Sequence, residues 1–356
     1  MTEQQLQGIL ETAVRNQASD VHFEVGYPPV FRVLGDLVAV KGPALTPADT
    51  TSVARYVLAE EGEGERLEKI NEHDTSYAIP GVSRFRANVF RQRGELGVVM
   101  RIIPFHIRSL EELQLPRVLT DIALMPRGLI LVTGATGMGK STTIAAMLQH
   151  INQSRRAHIV TIEDPIEFLF PASRSLVVQR EVGSDTDSFQ RALRSVLRQD
   201  PDNIMVGELR DRESVDICLK AAETGHSVVS TVHTVDARRT ITRLVGLYPG
   251  DEQSSVRLRL AESLIATVSL RLIKGAQGGM IPAVEIMRTT RSIQECIKDP
   301  EKLDELEHHI SQASELGCQT FDQHLYRLVR EARITEATAL LHASRPADLK
   351  RELSLG

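Results

Sequence analysis

The sequence predicts an α/β protein in which a small mixed α and β domain precedes a parallel-sheet core and a helical C-terminal segment. Three observations support this prediction. The first hundred residues alternate polar and apolar side chains, short unbroken apolar runs separated by helical stretches begin at Gly128, and helical spacing dominates after Pro282. Unbroken apolar runs are required of a parallel sheet that is covered on both faces.

The N-terminal domain is predicted to span residues 1–104. It opens with a helix at 4–17, in which Leu6, Ile9 and Leu10 recur at helical spacing. Alternating runs predict strands at 19–25, 30–40 and 85–103, with an acidic, helix-like stretch around 53–70. Charged and turn-forming residues over 105–117 predict a hinge linker.

The core is predicted over residues 118–282, and a helical subdomain over 283–356. Short apolar runs predict parallel strands at 129–133, 159–162, 204–206 and 228–232. In the C-terminal segment, Leu303, Leu306 and Ile310 follow one another at spacings of three or four. This spacing predicts helices that pack by an apolar face.

Composition restricts the partners and the compartment. The formal net charge is -5, so the chain has no overall basic field and we expect no nucleic acid partner. No stretch approaches the roughly 20 apolar residues that span a bilayer, and the N-terminus is polar, so we expect a cytoplasmic protein. Cys218, Cys296 and Cys318 lie far apart, which predicts buried, unreactive thiols rather than a disulfide framework or a four-cysteine zinc site.

A glycine-rich phosphate-binding loop (P-loop) follows the strand predicted at 129–133. The loop and the first residues of the helix after it are Gly134, Ala135, Thr136, Gly137, Met138, Gly139, Lys140, Ser141 and Thr142. Its glycines let backbone N–H groups converge on phosphate oxygens, while Lys140 neutralises charge and the Ser141 hydroxyl can ligate Mg²⁺. A helix that begins near Lys140 also points the positive end of its dipole at the phosphates and strengthens their binding. The loop predicts an ATPase that uses ATP and Mg²⁺.

Two carboxylates and two histidines follow or flank other predicted strands. Glu163 and Glu208 come after apolar runs, at the strand ends where ligands bind in open α/β sheets. ATP hydrolysis needs a further metal ligand and a group that orients the attacking water, and these carboxylates are the candidates. His226 and His233 lie near the two ends of one strand, which disfavours a simple two-histidine metal site.

Several segments together resemble the secretion ATPases, and more specifically the type IV pilus retraction motors of the PilT family, over essentially the whole chain. The segments that carry the resemblance lie at 19–22, 84–88, 161–167, 178–181, 197–211, 224–234 and 319–323. The resemblance implies a PAS-like N-terminal domain, a RecA-like P-loop core and a hexameric ring of identical chains. It also implies a place at the cytoplasmic face of the inner membrane, at the pilus base.

The resemblance further implies what the ring does and which residues act. ATP turnover would drive pilus retraction through an inner-membrane platform protein, with a second pilus ATPase as a further partner. Lys140 and Ser141 would bind phosphate and Mg²⁺, Glu163 would polarise the water, and Glu208 would support the metal. His226 and His233 would sense the nucleotide and couple the subunit interface.

Arginines of the N-terminal domain are candidates for a role at a neighbouring subunit's nucleotide. Guanidinium groups from an adjacent domain can stabilise charge on the transferring phosphoryl group. Of the five arginines between 84 and 101, Arg86 and Arg101 are the preferred candidates and Arg84 is the reserve. A solvated, charged strand face is the alternative interpretation.

Two departures from the family pattern keep other functions open. Where the family typically reads Ala-Ile-Arg-Asn-Leu-Ile-Arg-Glu, this chain reads Ser292-Ile293-Gln294-Glu295-Cys296-Ile297-Lys298-Asp299. Ala135 and Met138 also replace the usual proline and serine of the P-loop, at variable positions of the generic motif. The alternatives are an accessory or regulatory paralogue of a retraction motor and, less favoured, a pilus assembly ATPase or a DNA translocase.

Overall fold

The computed structural model describes residues 1–33, 35–58, 67, 70–103 and 107–355. The chain divides into two compact units. Unit 1 comprises Met1–His106 with Glu167–Leu169, and unit 2 comprises Ile107–Ile166 with Phe170–Gly356. Among the described residues, no helix is both long and apolar enough to cross a membrane.

Unit 1 is built on a six-stranded antiparallel sheet with the strand order β3-β2-β1-β6-β5-β4. Its strands are β1 (Asp20–Phe23), β2 (Val30–Val33), β3 (Asp36–Ala39), β4 (Glu72–Ile79), β5 (Ser83–Gln92) and β6 (Glu95–Ile103). Its helices are α1 (Glu3–Arg15) and α2 (Pro47–Val57). The predicted strand at 30–40 is a hairpin of β2 and β3, and the predicted run at 85–103 is the β5–β6 hairpin.

The two helices of unit 1 begin where the sequence provides caps. Thr2 and Thr46 each accept a hydrogen bond from the backbone of the third helical residue, and Gln5 and Asp49 bond back to the cap. Alternate residues of β5 and β6 then form one apolar face that packs with the inner faces of both helices. Most of the acidic stretch predicted as helical around 53–70 falls outside the described residues; within it, α2 ends at Val57.

Unit 2 is built on a seven-stranded sheet with the order β13-β12-β7-β11-β10-β8-β9. Its strands are β7 (Gly128–Thr133), β8 (His158–Glu163), β9 (Leu176–Glu181), β10 (Asn203–Val206), β11 (Ser227–Val232), β12 (Leu264–Lys274) and β13 (Met280–Arg288). All neighbouring pairs are parallel except β12 and β13, which are antiparallel. The four core strands predicted from apolar runs are β7, β8, β10 and β11.

Helices cover both faces of this sheet, as the unbroken apolar strands predict. They are α3 (Val118–Ala123), α4 (Lys140–Ser154), α5 (Phe189–Val196), α6 (Arg212–Glu223), α7 (Ala237–Val245), α8 (Gln253–Ser263), α9 (Arg291–Lys298), α10 (Leu306–Gln312), α11 (Phe321–Arg330), α12 (Glu336–His342) and α13 (Pro346–Leu355). Leu129 and Leu131 of β7 point to the core that contains α5 to α10, whereas Ile130 and Val132 point to the core that contains α3 and α4. The sheet is therefore buried on both sides.

The predicted start of the helical C-terminal segment requires correction. Residues 283–288 belong to β13, which pairs with β12 along its whole length, and the next helix begins at Arg291. Glu285 lies buried in the middle of β13 and interrupts the apolar run that marks the other core strands. The charged residue hides the strand from an analysis of apolar periodicity.

Candidate active site

The P-loop adopts the backbone conformation that its glycines were expected to permit. Gly134, Gly137 and Gly139 have φ values of +149°, +80° and +85°. A Cβ on Gly134 would lie 2.8 Å from the backbone oxygen of Leu270 in β12, a distance that real Cβ atoms do not reach. The loop therefore needs glycine at this position both for its conformation and for its close approach to the neighbouring strand.

Lys140 begins α4 and lies across the loop that precedes it. Its Nζ donates hydrogen bonds to the carbonyl oxygens of Gly134 and Ala135, at 3.0 and 3.1 Å, and the residue is buried. The ammonium group is thus held inside the concave side of the loop. Met138 takes a different direction, because its Sδ accepts a hydrogen bond from the Leu272 N–H at 3.3 Å. Met138 anchors the loop to β12, so only its backbone remains to face a phosphate.

The strand order brings the other predicted residues to the edge where the P-loop lies. The P-loop follows β7, His233 follows β11, Glu208 follows β10, and Glu163 ends β8. These four strands are consecutive and parallel in the sheet, so their carboxyl ends share one edge. Residues from four separate segments of the sequence therefore lie along this edge of the sheet. Their order along the edge is P-loop, His233, Glu208 and Glu163.

Glu163 is buried at the end of β8 and held in a fixed orientation. Its Oε1 accepts hydrogen bonds from the Thr161 hydroxyl at 2.7 Å and from the Gln179 side-chain amide at 3.1 Å. Thr161 lies two residues earlier on β8, and Gln179 comes from the adjacent strand β9. A buried carboxylate that is oriented by two donors meets the geometric requirement for a group that positions water.

Glu208 lies between an arginine and a histidine. Its Oε2 is 2.7 Å from Arg210 Nε and 3.6 Å from His233 Nε2. The hydrogen bond from Arg210 to Glu208 raises the pKa of the Arg210 guanidinium, which therefore stays charged. Glu208 thereby connects the segment that follows β10 to His233, which follows β11.

His226 lies at the opposite edge of the sheet. It directly precedes β11, its carbonyl oxygen accepts a hydrogen bond from the Gly128 N–H, and its Nδ1 is 3.0 Å from the Ala221 oxygen. The six residues of β11 lie between the two histidines and separate them by roughly 23 Å, at about 3.3 Å per residue. The structure thus brings His233, and not His226, next to the P-loop of its own chain.

The residues at this edge fit a nucleotide with Mg²⁺. Gly134, Gly137 and Gly139 hold the loop at positive φ, Lys140 is buried beside the loop, and Ser141 lies in the first turn of α4. Backbone N–H groups at the start of a helix and a lysine ammonium are suited to phosphate oxygens, and a serine hydroxyl is suited to Mg²⁺. Glu208 is the nearest strand-end carboxylate in the sheet order that could support the metal.

Comparison with known proteins places the chain in a family. The family model described as type II/IV secretion system protein matches residues 1–345. The chain belongs to this family. The family membership agrees with the resemblance seen in the sequence, because the segments that carried it lie within the matched range.

Two relatives of this type II/IV secretion family member come from Pseudomonas aeruginosa. The type IV pilus retraction ATPase PilT is 42% identical over 338 residues, which cover 95% of this chain and 98% of that protein. The type IV pilus ATPase PilU is 38% identical over 351 residues, which cover 98% of this chain and 91% of that protein. The crystal structure of the pilus retraction motor PilT with bound ADP superposes with a TM-score of 0.87 at 42% identity, and covers 96% of this chain and 98% of that one.

In this family member, the candidate N-terminal arginines lie in one row across the sheet of unit 1. Arg86 of β5 is directly opposite Arg101 of β6, and Arg101 is directly opposite Asp20 of β1. Arg101 Nε is 2.9 Å from Asp20 Oδ1, although 68% of the arginine side chain is exposed. Arg84, the reserve candidate, lies on the same face and donates to the Ser76 hydroxyl at 2.9 Å. The sheet thus presents two adjacent exposed guanidinium groups, at Arg86 and Arg101.

Sequence reasoning missed the groups that hold the site's carboxylates. Thr161, Gln179 and Arg210 contact Glu163 or Glu208 through their side chains. The alternation of β8 indicates that Thr161 and Glu163 share a face, since they are two residues apart. Gln179 could not be found in this way, because the pairing of β8 with β9 is not visible in the sequence.

Proposed function

We propose that this chain is an Mg²⁺-dependent ATPase that forms a hexameric ring and drives type IV pilus retraction. The observation that carries the proposal is the shared sheet edge, where the P-loop, His233, Glu208 and Glu163 follow four consecutive parallel strands. Whole-length similarity to a pilus retraction ATPase supports the choice of this reaction among those that P-loop proteins perform.

Each residue of the edge has a distinct part in the proposed reaction. The backbone of residues 134–139 and the Lys140 ammonium hold the phosphates, and Ser141 and Glu208 support Mg²⁺, which neutralises charge on the phosphate oxygens. Glu163, oriented by Thr161 and Gln179, positions the attacking water. His233 lies between the P-loop and Glu208 in the order of the sheet and contacts Glu208, so a change at the phosphates can reach Glu208 through it.

The ring supplies the remaining parts of the proposed mechanism. Arg86 and Arg101 of the N-terminal domain, with Arg84 as the reserve, reach the nucleotide of a neighbouring subunit and stabilise the charge that develops there. His226, at the far edge of the sheet, acts in coupling at a subunit interface. Rearrangement of a PAS-like N-terminal domain against a RecA-like core, about the linker at 105–117, then turns an inner-membrane platform protein at the cytoplasmic face of the pilus base.

A specific observation favours a second candidate, an accessory or regulatory paralogue of a retraction motor. The chain is also similar over 98% of its length to the type IV pilus ATPase PilU. In addition, α9 carries the departure from the retraction-family pattern: its Ile293 and Ile297 are buried, but Gln294 and Lys298 stand at the two arginine positions. The motif keeps both isoleucines, whereas glutamine replaces its first arginine and lysine its second.

Steady-state ATPase measurements on the purified ring separate these candidates. We expect Mg²⁺-dependent turnover by the wild type, and loss of turnover with unchanged nucleotide affinity and ring assembly in Glu163→Gln. Glu167→Gln is the control, since this carboxylate follows in the same segment but does not end a strand. Negligible turnover by the wild type, together with binding to a second motor, would favour the accessory role. Normal turnover by Glu163→Gln would refute the assigned site.

A further inference from the structure

Three potential metal ligands lie together at the junction of α9 and α10, far along the chain from the P-loop. They are Cys296, Glu305 and His309, and their ligand atoms all lie within 4.8 Å of one another. Glu305 Oε2 and His309 Nε2 are 3.8 Å apart. We propose that these three side chains bind a divalent transition-metal ion, for which Zn²⁺ is the best chemical match.

The fold brings the three ligands together from two helical segments. Cys296 lies on the buried face of α9, beside Ile293 and Ile297. Glu305 ends the 3₁₀ helix Pro300–Glu305, and His309 follows four residues later on α10, so that these two share a helix face. The thiol forms the floor of the group, while the carboxylate and the imidazole lie nearer to solvent, with 61% and 30% of their side chains exposed. An ion can therefore enter from the solvent side.

The donor set is chemically suited to zinc. A thiolate, an imidazole nitrogen and a carboxylate oxygen are the three ligand types that Zn²⁺ accepts, and three protein ligands leave a fourth position for water. With Zn–S at about 2.3 Å and Zn–N and Zn–O at about 2.0–2.2 Å, tetrahedral coordination places the ligand atoms about 3.3–3.6 Å apart. The Glu305–His309 distance of 3.8 Å is close to this spacing. The other two distances, which are within 4.8 Å, would have to shorten on binding wherever they exceed it.

The surrounding charges also favour a cation. The carboxylates of Glu305, Asp299 and Glu295 act electrostatically on the Cys296 sulfur, and Lys302 is the single cation that opposes them. Carboxylates thus outnumber the single lysine around the sulfur. Coordination to a metal displaces the proton of a cysteine thiol in general. The bound ion would connect α9 to α10.

Co²⁺ is the probe of choice, because a thiolate ligand gives it a charge-transfer absorption in the near ultraviolet that oxygen and nitrogen ligands do not. The full-length protein would be stripped with a chelator, dialysed and titrated with Co²⁺, and then with Zn²⁺ in competition. We expect one Co²⁺ per chain with thiolate absorption, which Zn²⁺ abolishes. We expect Cys296→Ser to lose that absorption and His309→Ala to bind at least tenfold more weakly.

Two matched variants control for unspecific effects. Cys318→Ser removes another buried thiol outside the group, and His308→Ala removes the exposed histidine next to His309. Both should bind Co²⁺ as the wild type does. If Cys296→Ser does not fold, the Co²⁺ affinities of His309→Ala and His308→Ala still test the site, because only His309→Ala should bind more weakly than the wild type. Binding without thiolate absorption, or equal affinity of His309→Ala and the wild type, would show instead a buried thiol beside a surface ion pair.

Discussion

Glu285 is a buried carboxyl group whose ionisation should make the stability of unit 2 depend on pH. It lies in the middle of β13, where its Oε1 accepts hydrogen bonds from the Ala237 N–H at 2.9 Å and the Ser269 hydroxyl at 3.2 Å. Burial raises the pKa of this carboxyl group from 4.5 to about 7, against the opposing effect of these two donors. The folded protein therefore holds this proton more tightly than the unfolded chain does.

The sign and size of the effect follow from linkage. A raised pKa in the folded state stabilises the fold below pH 4.5, and this stabilisation is lost as the pH rises through about 7. At about 1.4 kcal/mol for each pH unit, the raised pKa of Glu285 lowers the free energy of unfolding by about 1 kcal/mol at pH 5 and by about 3 kcal/mol at pH 8, relative to a side chain that does not ionise. The glutamine side chain of Glu285→Gln has an oxygen that can accept both hydrogen bonds, and it does not ionise. The free energy of unfolding of the variant, relative to wild type, should therefore rise by about 2 kcal/mol from pH 5 to pH 8.

Denaturant unfolding of wild type and variant at a series of pH values measures this difference, because contributions from all other groups cancel between the two proteins. Glu262→Gln, at an exposed position of α8, is the matched control and should show no such trend. A constant difference between Glu285→Gln and wild type across pH 5–8 would refute a buried carboxyl group with a raised pKa.

Two further predictions concern the P-loop and the oriented carboxylate. Gly134→Ala should weaken nucleotide binding at least tenfold in a fluorescent-nucleotide titration, because the new Cβ would lie 2.8 Å from the Leu270 oxygen. Gly8→Ala is the control. Gly8 lies on α1 with no atom near the position of a Cβ, so this variant should keep the wild-type affinity. Thr161→Val removes a hydrogen-bond donor to Glu163 and should lower kcat about tenfold with little change in KM. Thr161→Ser keeps the hydroxyl group and should keep the wild-type kcat. An unaltered kcat in Thr161→Val would contradict the orienting role of Thr161.

Much of the core could be predicted because its strands are buried on both faces. An unbroken apolar run such as 129–133 is visible in the sequence without knowledge of its neighbours, and the same holds for 159–162 and 228–232. β13 was not predicted, since Glu285 interrupts it, and β9 is only partly buried. Strands whose polar residues are satisfied by tertiary contacts do not show the expected pattern.

The strand-end positions of the candidate residues could be predicted from the sequence, but their arrangement in space could not. Each of Glu163, Glu208 and His233 follows an apolar run, which is a local signal. Their spatial order depends on the strand order of the sheet, which sequence alone does not fix. The same reason explains His226: its spacing from His233 shows that both flank β11, whereas its position at the opposite edge from the P-loop emerges only from the parallel pairing of β7 with β11.

The most direct test of the proposed function is a count of surface pili in a strain that lacks this gene, complemented in parallel with wild type or with Glu163→Gln. We predict that the strain accumulates pili and loses twitching motility, and that only the wild-type protein reverses both changes. Loss of pili would indicate an assembly role, and unchanged pili would indicate an accessory paralogue. Rescue by Glu163→Gln would contradict a retraction motor that is driven by ATP turnover at this site.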